Sequence, residues 1–297
     1  MLLPKNIFEE TPSFKKNKLK NNLFEIRFRS EVNTFNKTND NVYLLLKDTE
    51  KRSKASILVH GLGMEVGSKW DTYLRVVPET IGACYIDLPH QRHRKTKKDL
   101  LSSFSDGIFT LNFFRQGALD IIKTVNILKK LGYKDISIIG ISLGSLFSIM
   151  AMGLDKRIEK GIFILSGGDH SVITWKSPVM YKLREAYKKK NITRESCLAA
   201  RTILNPFIES VKKCKNPFDI KSNIICLYFD PLSFAPLIEP ERVLMINGLF
   251  DLIIPRQATI RLHRALGKPK IIWFPTDHLY LYVFRNKIIT YIKSFLR

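Results

Sequence analysis

Cysteine is scarce in this chain and shows no pattern. Only four of the 297 residues are cysteine, with no Cys-x-x-Cys pair and no metal-ligand spacing. Cys84 and Cys226 lie in apolar runs, where we expect reduced and buried thiols. Nothing in this pattern requires an oxidising compartment, and no metal or cofactor is expected.

Long apolar segments are also missing. The amino terminus has no apolar core of the kind found in secretory signals. Residues 136–154 carry no charge and are about long enough to span a bilayer, but a cluster of glycine and serine interrupts them. A buried strand, a tight turn and a buried helix explain this stretch better. We therefore expect a soluble, cytoplasmic protein without a transmembrane segment.

Acidic residues are few relative to basic ones. The chain has 49 Lys and Arg against 27 Asp and Glu, a net charge of +22, with basic runs at 15–20, 92–98, 188–190 and 212–215. No nucleic-acid-binding module is recognisable, so we expect no nucleic-acid partner. A solvated basic surface is the favoured explanation, and attraction of anionic substrates or lipid surfaces is the alternative. The run at 92–98 follows a predicted strand, which makes it the candidate for a position near a site.

The hydrophobic pattern predicts an α/β protein. Hydrophobic residues make up 45% of the chain, which excludes a disordered protein. Eight short runs rich in β-branched and aromatic residues predict strands at 24–29, 42–47, 55–60, 81–87, 135–140, 160–165, 243–248 and 270–275. Helical patterns separate most of the later runs, and the clearest lie at about 112–131, 255–267 and 281–295. Such alternation is typical of a parallel sheet covered on both faces.

The alternation stops between residues 168 and 240, where the chain is Lys-rich and helical by pattern. We therefore predict a core formed by 24–167 and 241–297, a helical insertion at 168–240 and an amino-terminal extension at 1–23. Trp175, Met180 and Tyr181 of the insertion are candidates for lining a pocket, but helix packing is the more common explanation of such an apolar stripe.

Residues 140–144 read Gly-Ile-Ser-Leu-Gly, a G-x-S-x-G pattern between a predicted strand and a predicted helix. This pattern presents a serine on a strained turn, where side chains two residues before and after it would collide with the flanking elements. Ser142 is therefore the predicted nucleophile.

A second turn supplies candidates for binding a negatively charged oxygen. The predicted strand at 55–60 ends in His60-Gly61, a bend that can direct a main-chain N–H into a site. The N–H groups of Leu62 and Leu143 would form an oxyanion hole for a tetrahedral intermediate. His60 itself is expected to be structural.

His278 is the predicted base, because it follows the last predicted strand at the carboxyl edge of the sheet, where such sheets hold their sites. Asp251, just after the strand at 243–248, is the predicted acid. His278 would take the proton of Ser142, and Asp251 would fix the ring tautomer and stabilise the imidazolium. Asp277 is too close to His278 in sequence to reach its ring.

These motifs resemble the α/β-hydrolase superfamily, and the resemblance runs from about residue 24 to the end of the chain. It implies an α/β-hydrolase fold with a mostly parallel eight-stranded sheet, helices on both faces and a helical cap, which the segment 168–240 fits. The chain departs from many relatives in the turn after Asp87, which reads Leu-Pro-His-Gln-Arg instead of being glycine-rich. It also departs in carrying Asp277 before His278, where glycine is frequent. Asp169 occupies a place from which some relatives supply the acid, so the resemblance implies it as the alternative to Asp251.

The resemblance also implies an activity. It implies a serine esterase-like enzyme that cleaves a small-molecule ester, anionic or neutral, through an acyl-enzyme on Ser142. The same side chains would serve a peptidase or a thioesterase. A hydrolase-fold protein that binds an anionic partner without catalysis is the alternative from another class.

Overall fold

The computed structural model describes residues 3–63 and 74–297. Its strands form a single nine-stranded sheet in the order β1-β2-β3-β5-β4-β6-β7-β8-β9. The strands are β1 (Phe14–Lys20), β2 (Leu23–Arg29), β3 (Asn41–Lys47), β4 (Lys54–Val59), β5 (Gly82–Ile86), β6 (Asp135–Ile141), β7 (Ile158–Ile164), β8 (Val243–Gly248) and β9 (Lys270–Phe274).

Strands β4 to β9 are parallel, and β1 to β3 add an antiparallel ribbon at one end of the sheet. All eight predicted strands are present, and the mostly parallel sheet is confirmed. The ninth strand, β1, lies within the segment expected to be an extension and pairs with β2 from Phe14 opposite Phe28 to Lys20 opposite Leu23.

Helices follow most of the strands. The α-helices are α1 (Lys37–Asp40), α2 (Leu100–Ser103), α3 (Gly107–Lys130), α4 (Leu143–Leu154), α5 (His170–Lys176), α6 (Tyr181–Lys188), α7 (Arg194–Ala200), α8 (Leu204–Cys214), α9 (Pro231–Phe234), α10 (Arg256–Ala265) and α11 (Arg285–Leu296). Short 3₁₀ helices lie at Arg92–Arg94, Pro178–Met180, Arg201–Ile203, Pro217–Asp219, Ile225–Tyr228, Ala235–Leu237, Pro240–Arg242 and Tyr280–Phe284. Across the described residues, none of these helices combines the length and apolar character needed to cross a membrane.

The central strands of the sheet are buried on both faces, which explains their nearly continuous apolar sequences. On β4, Ile57 and Val59 belong to one buried cluster with residues of α3, α4 and α10, whereas Leu58 belongs to another with Ile288 and Ile292 of α11. Successive side chains of a strand point to opposite faces, so helices on both faces require apolar residues at every position.

The segment between β7 and β8 contains five of the described α-helices, α5 to α9. It supplies no strand to the described sheet, as the interruption of the sequence pattern predicts. Cys226, from this segment, is half-buried, and Cys84 on β5 is fully buried. Burial raises the pKa of each thiol to about 12, so both thiols stay protonated at neutral pH.

Candidate active site

Ser142 occupies a tight turn between β6 and α4. Its backbone angles are φ 53° and ψ −121°, a conformation that residues other than glycine rarely adopt. The flanking glycines permit the turn, because a Cβ on Gly144 would lie 2.5 Å from the carbonyl oxygen of His60, and a Cβ on Gly140 would lie 2.6 Å from that of Gly144. The turn therefore has the geometry that the G-x-S-x-G pattern predicts.

Three side chains from separate loops meet at this turn. The Nε2 atom of His278 lies 2.9 Å from the hydroxyl oxygen of Ser142, and its Nδ1 atom lies 2.7 Å from Oδ2 of Asp251. An ionised carboxylate only accepts hydrogen bonds, so Nδ1 carries the proton and Nε2 is free to accept the hydroxyl proton. The structure thus brings together all three residues that the sequence singled out, in a continuous hydrogen-bonded chain.

The alternative acids have other partners. Asp169 caps the amino terminus of α5, and its carboxylate binds Arg201 at 3.0 Å and also pairs with Arg261. Asp277 accepts hydrogen bonds from the main-chain N–H groups of Leu279 and Tyr280 at 2.9 and 2.8 Å. Asp251 is therefore the carboxylate that contacts His278 within the described chain.

The candidate oxyanion donors border the same space as Ser142. Leu143 is the first residue of α4, where a helix N–H has no partner within the helix. Leu62 follows β4, and both residues line the cavity that contains Ser142 and His278. Two main-chain donors beside a serine hydroxyl can stabilise a negative charge that develops on a bound carbonyl.

The ring of His60 shapes the turn after β4. Its Nδ1 atom lies 2.7 Å from the carbonyl oxygen of Gly61, and its Nε2 atom accepts the main-chain N–H of Leu88 at 3.1 Å. Burial lowers the pKa of His60, so the ring is neutral and donates from Nδ1. As predicted, His60 is a structural residue.

A cavity of about 900 Å³ opens beside Ser142 and is lined mainly by apolar side chains. Phe114 and Leu146 come from core helices, whereas Met180, Leu183 and Phe229 come from the helical segment between β7 and β8. The volume is at the upper end of the range for small-molecule sites, about 300–1,000 Å³. Because residues far apart in sequence form these walls, the sequence pattern predicts neither the size of the cavity nor most of its lining.

The three candidate lining residues of the helical segment have different positions. Met180 lines the cavity, the role for which it was a candidate. Tyr181 is 56% exposed, and Trp175 packs against Tyr187 with ring centroids 6.3 Å apart. Neither Tyr181 nor Trp175 belongs to the described cavity wall. The contact of Trp175 with Tyr187 agrees with helix packing.

The basic run at 92–98 does not form part of the described cavity wall. Arg94 is fully buried, and its guanidinium group binds Asp120 at 2.8 Å and the carbonyl oxygen of Asn39 at 2.7 Å. Arg92 lies above the ring of Tyr85, at 5.1 Å from its centroid. This part of the run therefore stabilises the fold, a role that its charge pattern does not predict.

No protein-family model and no curated protein matches the chain, but many solved structures share its fold. An acetyl xylan esterase from Paenibacillus sp. R4 is 15% identical with a TM-score of 0.69, over 98% of this chain and 91% of that one. An α/β hydrolase from Penicillium sp. sh18 is 15% identical with a TM-score of 0.56, over 92% and 97%. The acylaminoacyl peptidase of Pyrococcus horikoshii is 16% identical with a TM-score of 0.57, over 99% of this chain and 42% of that one.

Together with the serine turn after the third parallel strand of the sheet, these likenesses define the architecture. The chain has the α/β-hydrolase fold, as its sequence motifs predict.

Proposed function

We propose that this protein is a serine hydrolase that cleaves carboxylic esters through an acyl-enzyme on Ser142. The observation that carries the proposal is the hydrogen-bonded chain from Asp251 through His278 to Ser142, at the wall of a largely apolar cavity. The fold likeness to an acetyl xylan esterase supports the same class of reaction.

In the proposed first step, the oxygen of Ser142 attacks the carbonyl carbon of the ester while Nε2 of His278 takes the hydroxyl proton. Asp251 keeps the other ring nitrogen protonated and stabilises the imidazolium that forms. The carbonyl oxygen becomes an oxyanion, which the N–H groups of Leu62 and Leu143 are proposed to bind.

The second step returns the proton. The carbon–oxygen bond to the alcohol breaks, His278 gives its proton to the leaving oxygen, and an ester between Ser142 and the acyl group remains. Water then attacks this ester with His278 again as base, and its collapse releases the acid and restores the serine. The chemistry requires no group beyond these residues and water.

Labelling and mutation of Ser142 test the proposal directly. A fluorophosphonate probe is expected to modify Ser142, and Ser142→Ala is expected to lower turnover of p-nitrophenyl acetate by at least about 10³-fold. Ser171→Ala is the matched control, because Ser171 also lines the cavity but donates its hydroxyl hydrogen to Asp169. Unchanged turnover in Ser142→Ala would contradict the assignment. Absence of labelling together with absence of turnover would favour a non-catalytic binding protein.

A peptidase or thioesterase with the same three residues is the second candidate. The fold likeness to an acylaminoacyl peptidase supports amide cleavage, although this chain spans less than half of that protein. Comparing oxyester, thioester and amide substrates with the same acyl group separates the three activities. A kcat/KM for the amide above that of the oxyester would replace our first proposal with this one.

We propose further that residues 168–240 are a cap over the site, inserted into a core of 24–167 and 241–297. Its support is the set of cavity-lining residues that this segment contributes, among them Leu183 and Leu227. For the compartment we propose the cytoplasm, and the four unpaired cysteines are compatible with it.

A further inference from the structure

Large apolar side chains surround the loops that carry Asp251 and His278, and they point into solvent. We refer to them as the apolar rim, and each is between 59% and 69% exposed: Phe250, Leu252, Leu279, Tyr280, Tyr282 and Val283. The two loops lie side by side, because the main-chain N–H of Phe250 donates to the carbonyl oxygen of Thr276 at 3.0 Å. Exposed apolar side chains gathered on two adjacent loops are the kind of surface that marks a binding site.

The backbone of the rim is fixed by buried or capping carboxylates. Asp251 accepts the N–H groups of Ile253 and Ile254 at 2.9 and 2.8 Å, and Asp277 caps the turn that leads into the 3₁₀ helix Tyr280–Phe284. Inward hydrogen bonds therefore hold both loops while their apolar side chains remain outside. The apolar side chains of the rim are therefore exposed on loops whose backbone is fixed by hydrogen bonds.

The rim continues into the cavity beside Ser142. Leu279 and Tyr282 belong to the rim and also line the cavity, together with Leu281 behind them. An apolar chain that passes from the rim to Ser142 therefore meets apolar side chains along its path. This continuity connects the exposed surface with the reacting serine.

The charges beside the rim are mainly basic. Arg285 and Lys287 are exposed at the start of α11, directly after the 3₁₀ helix, and Arg256 lies above Trp273 at 5.6 Å from the ring centroid. Asp277 is the acidic side chain in the same loop, and main-chain N–H groups bind it. With a net charge of +22, this surface is electrostatically complementary to an anionic one.

We propose that the apolar rim docks on an anionic lipid surface and that the substrate is a long-chain acyl ester taken from that surface. Apolar and tyrosine side chains flanked by basic groups are the composition of interfacial membrane anchors, which insert apolar groups while the basic groups meet anionic headgroups. The substrate class rests on the ester hydrolysis proposed above, whereas the docking does not.

Vesicle sedimentation with the full chain tests the docking. Wild-type protein is expected to bind vesicles of equal parts phosphatidylglycerol and phosphatidylcholine, and to bind pure phosphatidylcholine less. Leu252→Ser with Val283→Ser is expected to weaken binding by about tenfold for each side chain removed. Leu19→Ser is the matched control, because Leu19 is 48% exposed on β1 at the opposite edge of the sheet and should leave binding unchanged.

Several results would overturn the docking. One is a wild-type protein that does not bind anionic vesicles, and another is an equal loss of binding in Leu19→Ser. A concentration-dependent dimer that the rim double variant abolishes would instead make the rim a contact between two copies. Circular dichroism and thermal unfolding establish that the variants are folded.

The two proposals fail in different ways. Ser142→Ala is expected to bind vesicles as the wild type does, since binding requires no reaction. Vesicle binding without any ester turnover would reject the proposed function and leave the docking intact. Hydrolysis restricted to short soluble esters, with vesicle-embedded long-chain esters untouched, would overturn the substrate class.

Discussion

At the scale of single residues, the two oxygens of Asp251 have different partners. Oδ2 contacts Nδ1 of His278, and Oδ1 accepts the main-chain N–H groups of Ile253 and Ile254. The carboxylate is thus fixed by the backbone and fixes the ring in turn. Its only function in the proposed mechanism is to keep the correct tautomer and to stabilise the imidazolium.

Asp251→Asn is therefore expected to lower kcat on p-nitrophenyl esters by about 10³–10⁴-fold, because an amide can hold the wrong tautomer and carries no charge. Steady-state kinetics measure the loss, and urea unfolding checks that the fold is retained. Asp277→Asn is the matched control, since asparagine can still accept the N–H groups of Leu279 and Tyr280, and its kcat should stay within about tenfold of wild type. A larger loss in the control than in Asp251→Asn would contradict the choice of acid.

Residue-level prediction from sequence succeeds where position along the chain determines position in space. Ser142, Asp251 and His278 each follow a recognisable strand, and the carboxyl ends of parallel strands meet at one edge. No comparable sequence pattern predicts the partners of Asp169. Arg201 and Arg261 come from a helical segment and from α10, and only the packing of these elements brings both to one carboxylate.

At the scale of elements, the loop after β5 combines a basic run with a buried ion pair. Arg94 and Asp120 are both fully buried, and Ser30 also donates to Asp120 at 2.6 Å. Burial raises the pKa of Asp120, while Arg94 and Ser30 oppose that rise. The pair therefore ties the loop to α3.

Arg94→Met is expected to destabilise the protein by about 3–5 kcal/mol, because it leaves the carboxylate of Asp120 buried without its charged partner. Urea unfolding near neutral pH measures this loss. Lys95→Met is the matched control in the same loop, since Lys95 is exposed, and its effect should be within about 0.5 kcal/mol. Equal effects of the two variants would contradict a structural role specific to Arg94.

The elements that sequence predicts best are those with an apolar run. Six of the eight predicted strands are buried over most of their length, and β2 and β9 are buried in part. In contrast, β1 reads Phe-Lys-Lys-Asn-Lys-Leu-Lys and is largely exposed at the sheet edge. Its pairing with β2 has no signal in hydrophobicity. Similarly, α3 begins at Gly107, before its predicted start, because Asp106 caps it by accepting the N–H of Phe109.

At the scale of the whole molecule, the sequence predicts the architecture but neither the extent of the cavity nor the apolar rim. Both surfaces combine residues from distant segments, such as Phe250 beside the turn at Thr276 and Phe114 opposite Phe229. Hydrophobic periodicity reflects residues that are close together along the chain, so it carries no information about pairs that meet only in the folded protein. The excess of basic residues in the sequence likewise does not reveal where these residues lie in the folded protein. Only the structure shows that Arg94 is buried and that Arg285 is exposed.

Global stability should depend on pH through His90, which is buried between α3 and the basic run. Burial, with help from Lys98 and Arg94, lowers its pKa from 6.5 to about 4. Between these two values the unfolded chain binds a proton that the folded chain does not, so stability falls as pH decreases from about 6.5 to about 4. The contribution of this single ring is at most about 3 kcal/mol.

His90→Asn removes the titrating ring and keeps a polar atom near the hydroxyl of Thr96, which the Nδ1 atom contacts at 2.8 Å. Unfolding free energies measured at about pH 7 and about pH 5 should differ less in this variant than in the wild type. Carboxylates such as Asp48, whose pKa is lowered by Arg52 and Tyr133 against the effect of burial, add an acid-dependent loss to both proteins. The difference between the two pH dependences therefore isolates His90. Parallel curves would mean that another group is responsible for the loss of stability in this pH range.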